Sequence, residues 1–159
     1  MAALLGYLAA CILVLGITGV SGRRGLLQMA TVLGADCATT LTIASGLGVS
    51  AAFMVEPIQH LVFARMLLAS RRVRAEECSW FVIGAYGAGL ALDLAHAAGW
   101  LPTSSYTLAT NVVFIGQLVV VGVAGGPDAF RNVVGALGGW LSDRLRDRSR
   151  QAPVFRTRR

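Results

Sequence analysis

Lysine is absent from this chain of 159 residues, and only 14% of its side chains carry a charge. A soluble domain of this size carries about a quarter. So small a charged surface cannot keep the chain in water, which excludes an ordinary soluble globular domain and makes lipid the expected solvent. Cysteine is scarce as well. Cys11, Cys37 and Cys78 form no CxxC pair and no Cys/His cluster, which argues against a disulfide framework and a zinc site, and no metal or cofactor is expected. The sequence also lacks GxSxG, HExxH, a Walker loop and a strand-borne GxGxxG, so no enzyme chemistry is indicated by motif.

What the chain has instead is apolar length. Hydrophobic residues make up 55% of it and the mean hydropathy is +0.66. The segment 2–20 has no basic residue before it, and Arg23-Arg24 follow it, so it reads as a retained transmembrane helix rather than a signal peptide. From Leu26 to Ala69 no loop-rich stretch intervenes, and as one helix these residues would run about 66 Å, twice the thickness of a membrane core. Two glycines in Ser45-Gly46-Leu47-Gly48 offer the break, giving spans over 26–44 and 47–69. Further spans are expected over 79–101, ended by Pro102, and over 107–124, ended by Gly125-Gly126-Pro127. The expected fold is an all-α polytopic membrane bundle of five transmembrane helices in residues 1–126. A C-terminal amphipathic interfacial helix over 127–148 and a disordered basic tail over 149–159 follow it.

Charge placement tests the five-span count independently. With five crossings, Arg23-Arg24, Arg71, Arg72, Arg74 and the eight arginines from Arg131 onward lie on one side, while the opposite loops, 45–48 and 102–106, carry no charged side chain. Four crossings would put the two arginine loops on opposite faces. Short basic loops stay cytoplasmic, so the expected topology is a multi-pass protein of a cell membrane with its N-terminus outside and its C-terminus inside. The net charge of +6 is then an orientation signal, and nucleic acid is not an expected partner.

After Pro127 the pattern becomes amphipathic. Phe130, Val133, Val134, Leu137, Trp140, Leu141 and Leu145 recur along one helical face, with Arg131, Arg144 and Arg148 on the other. Phe130, Val134, Leu137, Trp140, Leu141 and Arg144 are the expected contacts to the anionic cytoplasmic leaflet or to a partner subunit. Small residues four apart, such as Ala30 with Gly34, Ala85 with Gly89 and Gly122 with Gly126, allow close packing within the bundle, in a homo-oligomer or against other membrane subunits.

Hydrocarbon makes buried charge costly, by roughly 2.5–3.5 kcal/mol at a helix centre. Asp36, Glu56, His60 and Asp93 are therefore the candidate proton- or cation-binding residues, and the three carboxyls fall at about the same depth, roughly 12–14 Å from the outer face. His96 is expected near the interface beside an outer aromatic belt of Trp100 and Tyr106, offset from His60 by about 12 Å, which disfavours a haem between the two histidines. Asn111 and Gln117 are expected to reach the polar span two. The functional expectation is proton or cation binding and translocation through this carboxyl layer, alone as an oligomer or within a transport or energy-coupling complex. The alternative is an accessory subunit that holds larger partners together without transport of its own.

Overall fold

A computed structural model describes residues 2–151, with side chains for 6–48, 51–140 and 142. The helices are α1 (Ala2–Ser21), α2 (Arg24–Gly46), α3 (Val49–Ala69), the single turn α4 (Arg71–Arg74), α5 (Ser79–Ala97) and α6 (Thr103–Gln151), with no strand among the described residues. The protein is an all-α helical bundle. Residues 24–46, 51–69, 79–97 and 103–140 are each long and apolar enough to cross a membrane, and α1, with 20 residues, is about 30 Å long. Side chains facing away from the bundle are large and apolar: Met54 is 78% exposed, Leu13 64%, Leu108 67% and Val123 69%. An outer surface of this kind is stable in lipid and not in water, and the chain is a multi-pass membrane protein.

The hairpin expected at 45–48 forms. The Leu47 amide closes the last turn of α2 on the Ile43 carbonyl at 2.8 Å, and Gly48 reverses the chain at φ 90°, a left-handed conformation open to glycine. The far end of α5 uses a second glycine. Gly99, at φ 75°, donates to the His96 carbonyl at 3.0 Å and Trp100 to the Ala95 carbonyl at 2.9 Å, a Schellman ending that stops the helix before the expected Leu101.

Neighbouring helices close a ring in the order α1, α2, α3, α5, α6 and back to α1, and α2 also touches α6. Leu26, Met29 and Leu33 of α2 are fully buried against Val14 of α1, Val82 of α5 and Val121 of α6. Small residues set the approach of α1 to its neighbours. A Cβ on Gly122 would meet Val14 at 3.4 Å, one on Gly125 would meet Ile17 at 3.4 Å, and one on Gly34 would meet Leu15 at 3.5 Å. The partner of Gly122 in this seam is thus Gly125 and not Gly126, which faces open space, as does Gly6.

Two expectations are corrected at α6. It starts at Thr103, ahead of the expected Thr107, and it does not stop at Gly125-Gly126-Pro127: Pro127 lies inside one continuous helix of 49 residues. Asp128, just past this proline, therefore lies within the helix. It pairs across a turn with Arg131 at 3.7 Å and with Arg23 at 3.7 Å. The amphipathic stretch continues the apolar part of α6, and Phe130, Val134, Leu137 and Trp140 stand between 50% and 73% exposed along it. The side chains of Leu141 and Arg144 and the tail 152–159 lie outside the described residues.

Arg23 pairs with Glu76 from the turn before α5, donates to the Ala124 carbonyl of α6 at 3.1 Å and approaches Asp128, so one side chain ties three parts of the same bundle end. Asn132 adds a hydrogen bond to the Val20 carbonyl at 2.8 Å.

Candidate functional site

Each acidic residue of the spans is set by a helix face. On α5 the buried stripe runs Ser79, Val82, Ile83, Tyr86, Gly89, Asp93, a spacing of three and four that turns Asp93 and Tyr86 into the bundle two turns apart. On α3, Glu56 and His60 share a face at i, i+4. On α2, Asp36 is 8% exposed and points inward with Thr40, whereas Thr31, Thr39 and Thr42 turn outward and satisfy their hydroxyls on the carbonyl four residues back at 2.7–2.8 Å. The polarity of span two therefore reflects two different faces, and only one belongs to the interior.

The structure brings Glu56, His60 and Asp93 into one hydrogen-bonded network. His60 donates from Nδ1 to Asp93 Oδ2 at 2.8 Å. The Tyr106 hydroxyl bonds Asp93 Oδ1 at 2.7 Å and also bonds Glu56. Asp36 makes no such direct link, but His60, Glu56 and Asp93 are its charged neighbours and the buried Tyr86 hydroxyl lies against it. The His60 ring is held over Gly89, where a Cβ would stand 2.8 Å from the ring, so glycine is the residue that admits the imidazole between α3 and α5.

Tyr106 is the residue that sequence reasoning missed. It is 1% exposed, in the first turn of α6, and is no member of an interfacial belt. His96 stacks on it with ring centroids 4.5 Å apart at 12°, Phe53 packs edge-on at 5.4 Å, and His96 Nδ1 donates to the Leu101 carbonyl at 2.8 Å. Trp100, 82% exposed, does sit at the surface. The early start of α6 was the missing signal, because it carries Tyr106 from a loop onto an inward face. Gln117 is a second correction: it donates to the Val82 carbonyl of α5 at 3.1 Å, away from α2.

A cavity of about 180 Å³ adjoins the network, bounded by α1, α2, α3 and α6. Asp36, Glu56 and His60 reach its wall beside Thr40, Thr110 and Asn111, and Tyr7 and Phe114 supply an aromatic side. At about 30 Å³ per water molecule in the liquid, it has room for several. Among the described residues no three His, Cys, Asp or Glu side chains are grouped to hold a metal ion. Cys78, in the turn before α5, has its thiol pushed above the ordinary value by burial and by Glu76, which makes it a poor nucleophile. No protein-family model, curated protein or solved structure matches the chain.

The bridge at Tyr106 has a consequence in proton count. A phenol carries one hydrogen, and ionised carboxylates only accept. The Tyr106 hydroxyl stands within hydrogen-bond reach of both Glu56 and Asp93, so its one hydrogen serves two carboxyls. The cluster thus joins oxygen atoms of three helices around one phenolic hydroxyl.

Proposed function

We propose that this protein binds protons and passes them across the membrane through Glu56, Tyr106, Asp93 and His60, with Asp36 and its cavity as the hydrated end of the route. The observation that carries this reading is the Tyr106 hydroxyl bonded to both carboxyls, an arrangement that holds a transferable proton inside lipid. Continuity supports it, since His60 extends the chain of groups and itself reaches the cavity wall where Asp36 stands. Purified protein in liposomes with an internal pH dye tests it. Under a potassium-diffusion potential, Glu56→Gln and Asp36→Asn should each reduce proton flux at least tenfold relative to the unaltered chain; equal flux in all three would overturn the reading.

The arrangement is oriented by its arginines. Arg23, Arg71, Arg72, Arg74 and Arg131 gather at the bundle end opposite Gly46 and Pro102, so we place that end in the cytoplasm and the 45–48 hairpin outside. Gly46 has open space around its Cβ position. A Gly46→Cys variant in otherwise cysteine-free protein should be labelled by a membrane-impermeant maleimide on intact cells, and labelling confined to inverted vesicles would reverse the orientation.

A further inference from the structure

The cavity beside Asp36 is built for more than water. Its polar lining consists of the carboxyls of Asp36 and Glu56, the hydroxyls of Thr40 and Thr110, the amide of Asn111 and the imidazole of His60, which Asp93 holds from behind, and no arginine lines it. Tyr7 and Phe114, which pack edge to face with centroids 5.8 Å apart, add aromatic surface to the same cavity. Carboxylates together with aromatic rings favour a cation. A bare alkali or alkaline-earth ion is a poor match, because it wants a tight shell of oxygen atoms, and neither an aromatic wall nor about 180 Å³ of space supplies one.

We propose that this cavity binds a small protonated amine, its ammonium group on Asp36 and Glu56 and its carbon against Tyr7 and Phe114. The inference rests on the proton-relay reading in one respect, that the same two carboxyls carry both. Ammonium and proton then exclude one another: an incoming amine cation takes a carboxylate and the carboxyl releases its proton, so charge is conserved. The other titratable groups around Asp36 are Cys11 and Cys37 at the α1 and α2 contact, His60 from α3 and Asp93 and Tyr86 from α5, and Tyr106 of α6 stands behind Glu56.

Full-length protein in lipid nanodiscs, with methylammonium as the probe, tests this by binding calorimetry and by proton release in weak buffer. The expected result is saturable binding with release of protons, its loss in Asp36→Asn, weakening by about tenfold in Phe114→Leu and recovery in Phe114→Tyr. No saturable methylammonium binding, or equal competition by sodium, overturns the amine site. So does a Phe114→Leu protein that binds like the unaltered chain. Proton flux in liposomes without methylammonium binding refutes the amine site and leaves the relay standing, while methylammonium binding without flux upholds the site and refutes the relay.

Discussion

Replacing Tyr106 with phenylalanine is expected to lower both the stability of this protein and the proton flux proposed for it, and the two losses share a cause. The ring fills the same space between His96 and Phe53, so the aromatic packing survives and only one oxygen is removed. That oxygen is the partner of both Glu56 and Asp93. Without it both carboxyls lose a hydrogen bond, Asp93 keeping only His60 and Glu56 only the cavity, a loss of about 1–3 kcal/mol. The same deletion removes the only bridge that the described side chains provide between Glu56 of α3 and Asp93 of α5. Unfolding in mixed micelles should shift by at least about 1 kcal/mol, and flux should fall at least tenfold. A Tyr106→Phe protein with the flux and unfolding midpoint of the original would show that the hydroxyl carries neither role.

The second large effect is expected far from that site, at Gly25. A Cβ there would stand 2.5 Å from the Arg72 carbonyl oxygen and 2.6 Å from the Glu76 side chain. A backbone oxygen has no rotamer into which to retreat, so Gly25→Ala must push the start of α2 away from α4 and stretch the Arg23 pair with Glu76 that ties this end of the bundle. Overpacking of this severity costs about 1–3 kcal/mol or more. Gly46→Ala is the matched control, because its Cβ position is empty and alanine favours a helix over glycine by up to about 1 kcal/mol. Unfolding of both variants in the same micelles should place Gly25→Ala well below Gly46→Ala. Equal midpoints would mean that α2 and α4 do not approach this closely.

The hairpin at Gly48 was legible in the sequence because a physical length forced it: a helix spanning 26–69 does not fit a bilayer. The candidate acids were legible for a similar reason, since charge in hydrocarbon is too costly to be incidental. The depth argument for them was coarser. Glu56 lies about 10 Å along α3 from its start and Asp36 about 15 Å along α2 from its end, yet the groups converge because His60, one turn deeper than Glu56, reaches Asp93 directly. The end of span five was misread. Gly-Gly-Pro is a strong stop signal in water, but a proline costs a helix little where neighbours and lipid leave no better conformation, and α6 runs through it.

Composition, hydropathy and the one-sided arginines by themselves determined that this is a helical protein that crosses a membrane several times, and which polar residues are anomalous within it. Those are properties of single segments, fixed by the energy of moving each residue from water into lipid, and need no knowledge of neighbours. The tertiary structure alone decided that Tyr106 joins Glu56 to Asp93, that Gly89 admits His60, that Gln117 serves α5, and that Arg23 fastens three elements at one end. Each of these depends on which helix faces which, and lipid gives all apolar faces nearly the same energy. The choice among them falls to close approach at small residues and to hydrogen bonds between helices, which the order of residues along the chain does not display.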